Sequence, residues 1–263
     1  VYVITINWVP AGKQFSDEEL AKVAELSRHV DCVFDQGHSG YHVPQSKRRS
    51  FIAGLHSAYG TSGRLWLYPD TRWDRSSYFL PYPKRASEAL VEQFQEGVRG
   101  CLYYQGPVSN AGQELMIAVG GRVLSDTRRK PQVVLAEVLE SLYRPRNADA
   151  ARRLGRIVEL AEESYFSQWS EELFRKVWGI AKPGEFKLDQ ALWGTSPGPA
   201  TYLKEPCLDA KGRKEYRKGL MAILAELPRL EGQCDDGGRL ANIQRSVIVT
   251  LNLLNTICSC QAE

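Results

Sequence analysis

The chain has 263 residues, enough for one large domain or a domain with an appendage. Hydrophobic residues make up 43% and charged residues 25%, a balance that excludes wholesale disorder and collagen-like repeats. The 34 Lys and Arg are interleaved with 31 Asp and Glu, so a net charge of +3 creates no whole-chain field for collecting nucleic acid or an anionic membrane.

The first run, VYVITINWV (1–9), is dense in Val, Ile and Thr and reads as a buried strand, with no basic n-region or cleavage site of a signal peptide. Opening on Val1 inside such a strand, with methionine only at Met116 and Met221, the chain is expected to be a processed product or a piece. Ser16, three residues before Glu19, predicts a capping box at the start of the amphipathic helix DEELAKVAELSRHV. CVFDQG (32–37) reads as a second strand, and KRRSFIAGLHSAYG (47–60) as a helix containing His56. The third strand is expected at RLWLYPD (64–70). It leads through the aromatic loop DTRWDRSSYFLPYP to the helix ASEALVEQFQEGVRG (86–100). The fourth strand, CLYYQG (101–106), runs into NAGQELMIAVGGRVLSD (110–126). Four βα units with short apolar strands predict a parallel sheet covered by helices.

From about Lys130 the strand signal fades. Helical patterns follow at 131–143, 148–179, 211–232 and 239–260, with Pro- and Gly-rich breaks between them. In the second of these, Phe166, Trp169, Leu173, Phe174 and Val177 form a stripe that suits a core or a partner surface. Four strands fall short of the roughly eight that close a barrel. The expected fold class is therefore α/β: the second half of a (β/α)8 TIM-like barrel over residues 1–128, then an all-helical C-terminal domain over 129–263. No run reaches the ~18 to 20 apolar residues of a membrane helix, so membrane insertion is not expected.

In a parallel βα architecture the chemistry gathers just past the C-terminal strand ends. Those positions hold Trp8; Asp35, Gln36 and His38; Asp70, Arg72 and Trp73; and Tyr103, Tyr104 and Gln105. Aromatic faces stack on sugar rings, amides and Arg bond hydroxyls, and paired carboxylates divide acid and base work, so the set suits a glycan. Asp35 before Gln36-Gly37 serves equally as a turn cap, Asp70 after Pro69 equally starts a turn, and Trp8 and Trp73 equally fill a core. Asp35, His38 and His42 have a D-x2-H-x3-H spacing, but Gly37, Gly40 and Pro44 make the segment a loop, so no metal is expected. The Rossmann, P-loop, nucleophile-elbow and HExxH signatures are absent, and no cofactor or nucleic-acid partner is expected. Cys207, Cys234, Cys258 and Cys260 lack paired C-x2-C knuckles and allow one or two disulfides if the protein is exported.

The segments YFLPYP (78–83), EGVRG (96–100), CLYYQG (101–106), NAGQELMIAVGGRVLSD (110–126) and VLAEVLESLYRP (134–145) follow one another across about a third of the chain. In this order they resemble the C-terminal part of the barrel in a large bacterial family of alpha-glucuronidase-like proteins of unknown function, related in architecture to family 67 and family 20 glycoside hydrolases. The resemblance implies that the four strands are barrel strands five to eight and that an N-terminal half-barrel is absent from this chain. Gln105, Gly106 and Glu114 would match the family's strand-end Gln-Gly pair and following helix, with Glu114 near the substrate. Asp35 and Asp70 would act as base or nucleophile on an oligosaccharide or polysaccharide with acidic or N-acetylated sugars, in a secreted or periplasmic setting. The departure is the general acid, since no Glu stands at a strand end. The alternative is a non-catalytic glycan-binding or scaffold protein with a helical interaction domain.

Overall fold

The structure, a computed structural model, describes residues 3–6, 15–35, 45–63, 79, 81, 83–103, 111–167 and 210–259. These fall into two compact units, the first drawn from 1–67, 89–105 and 174–196, the second from 68–88, 106–173 and 197–263.

In the first unit, β1 (Val3–Ile6), β2 (Cys32–Asp35), β3 (Ala58–Gly63) and β4 (Gly100–Tyr103) form a four-stranded sheet in the order β1-β2-β3-β4, with every pairing parallel. Helix α1 (Asp17–Leu26) starts at Ser16, whose Oγ accepts from the Glu19 N–H at 3.2 Å while the Ser16 N–H donates to Glu19 Oε2 at 2.8 Å. This is the capping box the spacing predicts. A 3₁₀ turn (Ser27–His29) follows, and the buried Ser27 hydroxyl donates to the Ala24 carbonyl and accepts from the His56 N–H. Helices α2 (Gln45–Gly54) and α3 (Pro83–Glu96) complete the unit's described elements, α3 contributing its Ala89–Glu96 end. Leu20, Val33, Phe51, Ile52 and Val98 make its core. Gly97, with φ +113°, lies where a Cβ would come 3.0 Å from Ile52 Cγ2, so both backbone and packing require glycine.

The regular elements described in the second unit are all helices. They include α4 (Ala111–Ser125), α5 (Pro131–Tyr143), α6 (Ala148–Ser167), α7 (Ala210–Glu226) and α8 (Gly237–Ser259). Buried residues recur three or four apart, as Leu115, Val119 and Val123 on α4 and Ile243, Val247, Leu251 and Leu254 on α8. That is the single-face pattern of packed helices. Helices α6 and α7 run antiparallel. Arg153 bonds Glu226 at 2.8 Å, the rings of Tyr165 and Tyr216 meet edge to face at 5.7 Å, and a Cβ on Gly219 would lie 2.2 Å from Ser164 Cβ. The start of α3 is held by the buried Glu162, which accepts the Lys84 N–H at 3.3 Å. Beside it, Phe79 and Pro81 of the aromatic loop are buried rather than exposed.

The expected α/β fold class, half of a TIM-like barrel, is overturned: helix predominates, and among the described residues the strands are only four to six residues long in a sheet whose first and last strands do not pair. A barrel's stability comes from a closed ring of strands, whereas among the described residues most buried side chains lie on helices. A strand not expected from the sequence precedes the position expected for the third. Ala58–Gly63 pairs in register with β2 and β4, and the expected 64–70 strand lies outside the described residues. Parallel ladders are made by the backbone, so a small-residue run such as AYGTSG can occupy one between two partners. The helix expected over 47–60 accordingly stops at Gly54, and His56 sits in the turn beyond it.

Candidate functional site

Two places in the described structure concentrate polar chemistry, one in each unit. In the first, the C-terminal edge of the parallel sheet carries Asp35, the last residue of β2, in register with Ile6 on one side and Thr61 on the other. Tyr103 ends β4 opposite Gly63, at the same edge. The strand-end residues Trp8, Gln36, His38, Asp70, Arg72, Trp73, Tyr104 and Gln105 lie outside the described residues, as does His42. Among the described residues, no group of three or more His, Cys, Asp or Glu could hold a metal ion.

The second place is built from α4, α5, α8 and the turn leading into α8. Asp236 precedes α8 and caps it: the Arg239 N–H donates to Asp236 Oδ1 at 3.0 Å, satisfying one of the helix's orphan donors. That backbone bond is the main cause that holds the Asp236 carboxyl below the usual carboxylate range. The Arg239 guanidinium returns a bond to Asp236 and reaches across to Glu114 on α4, with Nη2 donating to Oε1 at 2.6 Å and Nε to Oε2 at 3.0 Å. Both Glu114 oxygens thus meet one planar fork, the strongest geometry a carboxylate can be offered. The same bonds hold the guanidinium firmly in its charged form.

Behind this fork lies Tyr143, the fully buried end of α5. Its hydroxyl has no hydrogen-bond partner among the described residues, and burial, followed by the charge of Glu114, pushes its ionisation well above the ordinary tyrosine range. Arg144 closes α5 in the left-handed conformation at φ 47°, donating its N–H to the Glu140 carbonyl at 2.9 Å. From there the chain pairs with the turn before α8: Pro145 bridges Cys234, the Arg146 N–H donates to the Gln233 carbonyl, and the Asp235 N–H donates to the Tyr143 carbonyl. Cys234 is a buried thiol outside any disulfide, its ionisation raised first by burial and then by Asp235. Cys207 and Cys260 lie outside the described residues.

Of the residues singled out in the sequence, the structure brings Asp35 and Tyr103 to one sheet edge and fastens Glu114 in the second unit. The strand-end reading missed Arg239, Asp236 and Tyr143. Asp236 followed by Gly237 and Gly238, just ahead of a helical pattern, is a cap signature that could have located the turn. Nothing local marks the tie to Glu114, 125 residues away in the chain. No family model matches the chain, and neither a curated protein nor a solved structure matches it.

Proposed function

We propose that the chain is a carbohydrate-active protein, a glycoside hydrolase in which strand-end carboxylates serve as base or nucleophile on a glycan with acidic or N-acetylated sugars. The observation that supports this most is the position of Asp35 at the C-terminal edge of β2, flanked by parallel strands on both sides. The carboxyl ends of parallel strands are where open sheets bind ligands. The sequence continues from that edge into Gln36, Gly37 and His38, and from β4 into Tyr104 and Gln105, residue types that bond and stack on sugars. Asp70 is the second carboxylate in this reading. The test is turnover of an aryl-glycoside panel that includes uronides and N-acetylhexosaminides, with Asp35→Asn and Asp70→Asn each lowering the rate by roughly 10²- to 10⁴-fold. Turnover unaffected by either change sinks the assignment.

A second reading, glycan binding without cleavage, follows from the sequence, since no Glu stands at a strand end to act as general acid and both oxygens of Glu114 are engaged by Arg239. Glycan-array binding with no turnover across the same panel would select it.

A further inference from the structure

The long helices of the second unit turn different outer faces to solvent. On α6 the exposed residues include Arg152, Arg156, Glu159 and Glu163, and on α7 Lys211, Lys214, Glu215 and Lys218. Helix α8 differs. Its inward face, with Val247, Thr250, Leu251 and Leu254, is buried, and it packs against α4 and α7. Among the described residues from 241 to 255, the exposed ones are Ala241, Gln244, Arg245, Ile248, Asn252 and Asn255. Arg245 is the single charge. Ile248 is 42% exposed, so an aliphatic side chain stands in water at the middle of a nearly uncharged strip. Depletion of charge around an apolar centre is the composition of the core of a protein interface.

The spacing says which partner fits. With 3.6 residues per turn, Ala241, Gln244, Asn252 and Asn255 all fall within about 40° of Ile248 around the helix, while Arg245 lies about 60° to one side. Ala241, Gln244, Ile248, Asn252 and Asn255 follow one another at intervals of 3, 4, 4 and 3 residues, so the strip reads the same in both directions from Ile248. A two-fold interface requires that symmetry, because each residue that meets a second must be met by it in return. Two copies of α8 laid antiparallel bring Ile248 against its own counterpart at the axis. On each side of the axis Gln244 then faces Asn252, and Ala241 faces Asn255. A carboxamide both donates and accepts, so Gln244 and Asn252 are complementary, and the small Ala241 leaves room for the longer Asn255.

We propose that the outer face of α8 joins two copies of this chain in an antiparallel pair, with the two-fold axis at Ile248. The paired isoleucines supply the apolar burial, and the amides fix the direction, as single polar positions do between coiled helices. The strip from 241 to 255 is about 21 Å long, and one helix pair of that length covers less than the roughly 800 Å² per partner of a standard interface. The dimer is therefore weak and reversible. This surface is separate from the sheet edge, and its test does not depend on glycan turnover.

The test is sedimentation equilibrium of the full-length chain over a concentration series from about 1 μM to about 1 mM, for wild type, Ile248→Glu and the double variant Gln244→Lys with Asn252→Glu. Wild type is expected to pass from monomer to dimer within that range. Ile248→Glu removes both apolar anchors and sets two like charges face to face, and should weaken the dimer by about 30-fold or more. Circular dichroism and thermal unfolding should match wild type at low concentration, because Ile248 is exposed in the single copy. The double variant tests direction. In the antiparallel pair each new lysine meets a new glutamate, and the dimer should tighten about threefold at low salt. A parallel pair would instead set lysine on lysine and glutamate on glutamate, and would weaken.

A wild-type chain that stays monomeric throughout the series overturns the proposal. So does a dimer that Ile248→Glu leaves intact, which would place the contact elsewhere, or one that the double variant loosens. Monomeric wild type that instead sediments with phosphatidylcholine vesicles, and loses them in Ile248→Glu, would assign the face to a lipid surface and overturn it as well.

Discussion

Arg48 in the first unit and Arg239 in the second each join two helices through a carboxylate, at different depths and with different geometry. Arg48 and Glu96 are nearly sealed, with side chains 5% and 12% exposed, and their closest approach is 3.3 Å. Arg239 and Glu114 stay about a third exposed, yet meet in two bonds of 2.6 and 3.0 Å. The deep pair gives up more hydration for weaker bonding, while the shallow pair keeps its water and gains directed bonds. The first should be costly to break and easy to replace as a unit. The second should set the register of α4 against α8 at a modest gain in stability.

The most severe way to break this contrast is Arg48→Met, which takes the Arg48 guanidinium from the nearly buried Glu96 carboxylate and should cost about 3 kcal/mol in denaturant unfolding. The double variant Arg48→Met with Glu96→Leu should recover most of the loss. A double variant as unstable as the single would mean that the pair contributes specific bonding. Next is Gly219→Ala, which tests whether the second unit depends on close helix approach more than on charge. The new methyl meets Ser164 at an impossible distance, so α6 and α7 must part, at a cost of about 1 to 3 kcal/mol. A neutral Gly219→Ala in the same denaturant titration would show that the two helices yield freely.

Smaller effects sharpen the picture at the Arg239 fork. Asp236→Ala removes the cap of α8 and should cost about 1 kcal/mol, whereas Asp236→Asn keeps a capping oxygen and removes only the charge. Because the folded-state carboxyl of Asp236 titrates below its ordinary value, its charge contributes fully above about pH 4 to 5, the unfolded range, and the contribution is lost as pH falls through the lower folded value. Wild type should therefore lose stability on acidification more steeply than Asp236→Asn, and parallel slopes would contradict this. The smallest change expected is a gain: Tyr143→Phe deletes a buried hydroxyl with no partner among the described residues and should be neutral or stabilising by up to about 1 kcal/mol. A loss of stability in thermal unfolding would mean the hydroxyl is bonded.

What could be read from the sequence was local. Ser16 and Glu19 lie three residues apart, and the bonds that join them involve no other part of the chain, so the start of α1 was legible. Strand β3 was not, because AYGTSG has little apolar alternation and is held as a strand by the neighbours that bracket it, β2 and β4. The adjoining RLWLYPD carries the apolar content that suggests a buried strand, and it lies outside the described residues. The barrel expectation failed for a related reason. Short apolar runs were extended into a ring, although the long helical periodicities from Ala111 onward hold most of the buried side chains among the described residues. At the candidate sites, the edge position of Asp35 follows from its place at the end of an apolar run, while the partner of Glu114 lies 125 residues away and has no local signal.

Cys234 gives the second unit a built-in clock. Its thiol is buried, shifted toward the unreactive protonated form, and placed in the bridge to Pro145, beside the backbone bonds from Arg146 to Gln233 and from Asp235 to Tyr143. An alkylating reagent can reach it only when that joint comes apart, because the thiolate is the nucleophile and burial suppresses it. The rate at which Cys234 is labelled under native conditions therefore measures how often the segment after α5 separates from the turn before α8. It reads one hinge of the helical unit without unfolding the rest.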